Sequence, residues 1–301
     1  MATITTFFSY KGGAGRSTTC LNTIPFLAEE LEAYSSSPIL LLDMDIESAG
    51  MTYLLNKHDY FHTSGYDVKE FLKGEETWPM NKVGKLSDHP LYKKFVPVGN
   101  FLGLEDNYAV MFLGVNDASR QLDRSDIAGR IEEVMSRFNH FAENNGIKAV
   151  VMDSAAGDQF SARLSVDNSD KIVFCMRPTH QFRIGTFNYL RNFARRWGRN
   201  ADEKEFILLP TVVPADVEIN GKSQLKSSVE DICERIKGDD FEYLDINDSF
   251  IDETRFGINE ITRFKWHEDV LYKLNAENAL TNNDELEGLS RYQALASAIA
   301  E

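Results

Sequence analysis

Apolar and polar positions alternate along the chain in blocks that switch between a strand-like and a helical period. TITTFFSY (3–10) is a β-branched and aromatic run that predicts a first strand. It breaks at a cluster of glycines, and a helical period follows from about Ser17 to Ala33. YSSSP (34–38) is a polar turn. ILLLDMD (39–45) predicts a second strand, apolar until its acids, as a strand covered on both faces would be. YAVMFLGV (108–115) follows after a less regular stretch. From Ser125 to Asn145, the residues Ile127, Ile131, Val134, Met135, Phe138 and Phe141 fall on one helical stripe, and Gly146 stands just beyond as a C-terminal cap would. IKAVVMD (147–153), KIVFCM (171–176) and EFILLPTVV (205–213) are three more buried-strand candidates, with helical segments between the last two and after the third. Strand, helix, strand repeated in this order predicts an α/β fold: a doubly wound, mostly parallel β-sheet flanked by helices on both faces.

Between Asn56 and Asn107, aromatic residues, prolines and glycines break any clear period, which predicts an insertion of short helices. The polar stretch Thr281–Gly288 reads as a loop before a short final helix, LSRYQALASAIA (289–300). There is no internal repeat and no long linker, so residues 1–301 are expected to form one domain. The composition, 43% hydrophobic and 26% charged over 301 residues, is that of a globular chain with a sizeable core. The start carries no secretory pattern, and the longest apolar runs are too short to span a bilayer. Cys20, Cys175 and Cys233 are widely spaced and odd in number, which points to reduced thiols in a cytoplasmic protein. A net charge of -15 argues against nucleic acid or anionic lipid as a partner unless a local basic patch opposes it.

The chemistry concentrates at the break after the first strand. Lys11-Gly12-Gly13-Ala14-Gly15-Arg16-Ser17-Thr18 lies between a predicted strand and a predicted helix, the setting in which a glycine-rich loop can cradle phosphate. Glycines let the backbone curl so that its N–H groups point inward, and the helix adds its positive end. Ser17 is placed for its hydroxyl to ligate Mg²⁺. The position that usually holds lysine holds Arg16, whose planar fork is bulkier than a point charge. Asp43 and Asp153 end strands, where a carboxylate either caps a turn or serves a site.

This loop resembles the deviant phosphate loop, KGGxGK[ST], of the ParA/MinD group of ATPases, in the KGGxGR form found in a branch of that group. ILLLDMDIESAG is similar to the group's second strand and switch I, AVVMDSAAGD to its Walker B strand and switch II, and VFCMRPTHQFRIGTF and FILLPTVVP to two later strands. The likeness runs from about residue 2 to residue 215 and weakens beyond. It implies ATP held by residues 11–18, with Mg²⁺ held by Ser17 and through Asp43 and Asp153. It implies that Lys11 crosses a dimer to the partner's nucleotide, that Asp45 orients the attacking water, and that the Gly157 N–H approaches the γ-phosphate. Pro210, Thr211, Val213 and Pro214 would then contact adenine. With arginine in the loop, nucleotide binding is expected to survive and Lys11 to carry more of the transition-state charge.

Other signals are weaker. His58 and His62 stand four apart but lack the glutamate of the metalloprotease motif. The cysteines include no close pair that could bridge a cluster between subunits. Arg191, Arg195, Arg196 and Arg199 gather on one predicted helix, better read as a solvated face or a protein-partner site than as a DNA site. The final helix is short, alanine-rich and ends in Glu301, unlike a basic membrane anchor. The function these readings imply is an ATP-binding, ATP-hydrolysing homodimeric switch that controls the location or activity of a protein encoded nearby. The alternatives are a nucleotide-binding or merely dimerising scaffold without hydrolysis, and a DNA-binding partition ATPase.

Overall fold

The computed structural model describes residues 2–74, 78–79, 81–116, 130–177, 179–197, 203–211, 218–219, 222–223, 234, 244–247 and 292–301. Seven strands are labelled here: β1 (Thr3–Ser9), β2 (Ile39–Met44), β3 (Val96–Pro97), β4 (Val110–Leu113), β5 (Ala149–Ala156), β6 (Lys171–Met176) and β7 (Glu205–Pro210). With the edge strand Asp245–Asn247 they form one eight-stranded sheet, in the order edge strand–β7–β6–β1–β5–β2–β4–β3. Every pairing is parallel except β3 with β4. The doubly wound sheet predicted from the sequence is therefore present.

The strand pattern explains why both faces are covered. Phe7, Val173, Cys175, Ile207 and Leu209 point into one hydrophobic core. Their alternates Phe8, Ile172, Phe174, Phe206 and Leu208 point into the other. Because side chains alternate along a strand, a run apolar at every position must be buried on both sides. Helix α1 (Arg16–Glu30) lies on the first face. The C-terminal helix over 292–300 joins it there through Leu295 and Ile299, and Asn22 Nδ2 donates to the Tyr292 hydroxyl at 3.2 Å. The second core includes residues of α6 (Phe160–Asp167) and α7 (His180–Trp197).

A short helix α2 (Gly50–Leu54) leads into the stretch without a clear period, which holds α3 (His58–Ser64), α4 (Val68–Lys73) and two single 3-10 turns. Asp67 caps α4 by accepting from the N–H groups of Lys69 and Glu70. The aromatic residues there form a cluster. Trp78 packs edge-on to Phe71, Phe95 and Phe138, and within 4.5 Å of Phe141 between ring centres. Phe138 and Phe141 belong to α5 (Ile131–Asn144), whose stripe of Val134, Met135, Phe138 and Phe141 is buried as the period predicted. Gly146 follows at φ 72, the left-handed conformation of a helix stop. Ile127 of that predicted stripe lies outside the described residues, as do Cys233 and Arg199. Among the described residues, no helix is long and apolar enough to cross a membrane.

Candidate functional site: the loop at the C-terminal edge of the sheet

β1, β2 and β5 are neighbours, and their C-terminal ends bring the predicted residues together. The loop after β1 turns through Gly13 (φ 80) and Gly15 (φ 72), backbone conformations that only glycine enters without strain. Gly15 is the residue before α1, so the loop delivers its N–H groups to the positive end of that helix. Arg16, the first residue of α1, is 8% exposed. Its Nε donates to Asp153 Oδ1 at 2.6 Å and its Nη2 donates to Asp45 Oδ2 at 2.9 Å. The loop's cation, the acid near the end of β5 and the acid after β2 thus form one ion-pair set.

Electrostatics follow from that contact. Burial pulls the Arg16 pKa down, but the two carboxylates more than offset it and hold the guanidinium charged. Asp153 is completely buried, and burial raises its pKa against the opposing pull of Arg16 and the nearby Ser17 hydroxyl. Asp43 stands in register beside Asp153 across β2 and β5. Burial first, then the neighbouring Asp153, push Asp43 up to about 8, while its bonds to Thr52 act the other way. Asp43 Oδ2 accepts from the Thr52 N–H at 2.8 Å and the Thr52 hydroxyl at 2.6 Å, and Oδ1 accepts from the Asp45 N–H at 3.3 Å. Asp43 therefore pins α2 and the segment after β2. That segment also closes on the loop, since a Cβ on Gly50 would stand 3.9 Å from Ser17 Oγ.

Lys11 lies at the exposed mouth, where its Nζ donates to Gln181 Oε1 of α7 at 3.0 Å. Tyr10 beside it is 39% exposed and packs against α7 at Gly185, where an added Cβ would stand 2.0 Å from a ring carbon.

No protein-family model matches the chain, and no curated protein matches it. Solved structures do. The structure of pNOB8 ParA bound to nonspecific DNA aligns at TM-score 0.56 with 12% identity, over 99% of this chain and 97% of that one. A chain of the MinC:MinD cell division protein complex of Aquifex aeolicus aligns at TM-score 0.51 with 17% identity, over 79% of this chain and 78% of that one. Cobyrinic acid a,c-diamide synthase from Mycobacterium smegmatis with bound ADP and magnesium aligns at 0.52 and 16%, over 79% and 83%. The chain has the ParA/MinD-type P-loop fold.

Within that ParA/MinD-type fold, Gly157 directly follows β5 at φ 76, and its N–H donates to the Ser9 carbonyl at 2.9 Å. That donor is spent on β1. Thr211 is fully buried one residue past Pro210; its N–H donates to the Met176 carbonyl at 2.8 Å, and its hydroxyl has no hydrogen-bond partner among the described residues. Val213 and Pro214 lie outside the described residues. For Mg²⁺, the donor set fits in part. Asp153 Oδ2 is buried without a hydrogen-bond partner among the described residues, and Ser17 is its neighbour, which suits a hydrated hard cation. Asp43 already accepts three hydrogen bonds, two from Thr52 and one from the Asp45 N–H, and its Oδ1 keeps capacity for a further donor or a metal-bound water.

Sequence reasoning missed Thr52 and Gln181. Thr52 lies nine positions after Asp43, and Gln181 lies 170 positions from Lys11. No local pattern in the sequence marks either of them. The cysteines Cys20 and Cys175 are fully buried, and burial pushes both thiols up, as for inert core residues.

Proposed function

We propose that the chain is a cytoplasmic, homodimeric ATP-binding switch that hydrolyses ATP and sets the location or activity of a partner protein encoded nearby. The observation that carries this reading is the Arg16–Asp153–Asp45 ion-pair set at the mouth of a glycine loop. A guanidinium has five N–H donors in one plane, of which Asp153 and Asp45 take two. The same group can therefore hold the two acids and turn its remaining donors to a phosphate oxygen. The backbone of Gly12, Gly13, Ala14 and Gly15, with Thr18 in the first turn of α1, suits the other phosphate oxygens. Ser17 and Asp153 are the residues to hold Mg²⁺, which supplies positive charge to the phosphates when bound.

Phosphoryl transfer to water needs positioning and compensating charge rather than covalent help. Asp45, 15% exposed, is the acid nearest the mouth and the group to orient water. Lys11, held by a side chain on an exposed surface, is free of the core and can extend toward a second copy's nucleotide. Pro210 and Thr211 stand at the sheet edge where the base would lie, with Val213 and Pro214 following in the chain.

One observation favours a second reading, a nucleotide-binding scaffold without turnover. Asp45 Oδ2 already accepts from Arg16, the oxygen that would otherwise orient water. Sedimentation and phosphate release, measured together in Mg-ATP, separate the two. The switch reading expects dimers and phosphate release that Asp45→Ala abolishes. Dimers without phosphate release, alone or with proteins encoded beside it, establish the scaffold. Neither dimers nor nucleotide binding overturns both.

A further inference from the structure

Helix α7 carries a glycine in its interior. Gly185 lies in the second turn, where glycine costs a helix about 1 kcal/mol relative to alanine. It is buried, and a Cβ there would overlap the ring of Tyr10, so the missing side chain makes the seat of that ring. Tyr10 is not seated for the sake of the core, since it stays 39% exposed. The helix therefore gives up propensity to fix a half-open tyrosine at the residue before Lys11.

The same segment is fixed on either side of that ring. Ser9 Oγ donates to the Lys11 carbonyl at 3.1 Å, and the Ser9 carbonyl accepts from the Gly157 N–H. One helical turn before Gly185, Gln181 Oε1 accepts from Lys11 Nζ at 3.0 Å. The direction of that bond matters. α7 follows β6, and β6 pairs with β1 on the side away from β5 and β2. Asp153 belongs to β5, Asp43 to β2, and Asp45 follows β2. A lysine loose at the loop mouth is drawn toward those carboxylates. Gln181 holds it across β1 from them, and an amide oxygen takes only one of the three N–H donors while neutralising none of the charge.

We propose that Gly185, Tyr10 and Gln181 are positioning residues for Lys11. The seat sets the direction of the backbone at the loop mouth, and the amide keeps the ammonium off its own subunit's acids and open to a second copy. This rests on the reading above in which Lys11 extends to a second copy's nucleotide. A lysine held in place in the free chain has lost its rotamer freedom before assembly rather than during it, which lowers the cost of association. Lys11 and Gln181 are both exposed, so their bond adds little to the fold, and its consequence lies in assembly.

The test compares Gln181→Met, which keeps the length and removes the acceptor, with Gly185→Ala, Tyr10→Ala and Tyr10→Phe in the full chain. The first readout needs no nucleotide: the rate at which an acetylating reagent modifies Lys11, with Lys93, an exposed lysine outside these contacts, as the internal reference. Gln181→Met, Gly185→Ala and Tyr10→Ala should raise the Lys11 rate by at least about twofold, as for the loss of one weak hydrogen bond, and leave Lys93 unchanged. Tyr10→Phe keeps the ring and should retain the wild-type rate. Gly185→Ala should add nothing in a Tyr10→Ala background, because the ring it displaces is gone. The second readout is the dimer in Mg-ATP by sedimentation. The first three variants should weaken it about tenfold, with two copies of the contact each contributing about threefold. An unchanged Lys11 rate in Gln181→Met or Gly185→Ala overturns the proposal, as does a wild-type dimer in both where Lys11→Ala has none. A Lys11→Ala chain that dimerises like the wild type overturns the crossing-lysine reading and the proposal with it. That failure is distinguishable, because the acetylation rates are read on the free chain.

Discussion

Arg16 Nε donates to Asp153 Oδ1 across 2.6 Å, so the cation of the phosphate loop and the acid near the end of β5 form one buried ion pair. The bond ties the first turn of α1 to the middle of the sheet, and Asp45 joins it from the segment after β2. The arginine therefore has a structural part.

Removing it should cost stability. Arg16→Ala leaves Asp153 buried without its counter-charge, a loss of about 3–5 kcal/mol for a broken buried pair. Asp153→Asn with Arg16→Ala should recover part of that loss, because the uncompensated charge goes with it. Urea unfolding of the single and double variants measures both. Additive losses would show that the two side chains do not interact.

Asp43 predicts a pH dependence. Its folded pKa of about 8 lies above the unfolded value of 3.8, so the fold binds more protons than the unfolded chain between those values. Its contribution is complete below the unfolded value and is lost as pH rises through the folded one. Asp43→Asn removes this titration. The stability of the variant should fall less than that of the wild type between about pH 5 and pH 8, measured by urea midpoint. Parallel slopes would contradict it.

Thr52 holds Asp43 from α2 and accepts the Val115 N–H at 3.0 Å, so it links β2 to the chain beyond β4. Thr52→Val keeps the shape and removes the hydroxyl. Unfolding should show a loss of about 1–3 kcal/mol, with unsatisfied groups left at both Asp43 and Val115. A neutral substitution would show the bonds to be dispensable.

Much of this was legible in the sequence, and the exceptions have physical reasons. KIVFCM becomes β6 residue for residue, and ILLLDM becomes β2, because strands buried on both faces leave unbroken apolar runs. The first helix ends at Glu30 rather than at Ala33, since Glu32 turns left-handed at φ 49. The two-residue β3 left no period to read. The loop and its acids were each visible, but their pairing was not, for Arg16 is 137 positions from Asp153 and 29 from Asp45. Asp43 looked like Asp153, a strand-end acid; the two bonds it accepts from Thr52, placed by the short helix α2, had no signal in the sequence.

Lys11 separates stability from function. It is exposed and bonded to Gln181, so Lys11→Ala should change the unfolding free energy measured in urea by no more than about 0.5 kcal/mol. In Mg-ATP the variant should bind nucleotide yet sediment as a monomer and release no phosphate. Wild-type dimerisation and turnover would show that this lysine does not act across an interface.

The central claim is that Arg16 joins nucleotide phosphates to the acid of β5 and the acid after β2, and equilibrium dialysis of labelled ATP with Mg²⁺ tests it most directly. Wild type, Arg16→Lys and Arg16→Ala are compared at a temperature where all three are folded by circular dichroism. The account predicts binding by the wild type, weaker binding by Arg16→Lys, which keeps the charge without the planar fork, and at least about a hundredfold loss in Arg16→Ala, the scale of a charged hydrogen-bond pair. Equal affinity of Arg16→Ala and wild type, or no binding by the wild type, would contradict it.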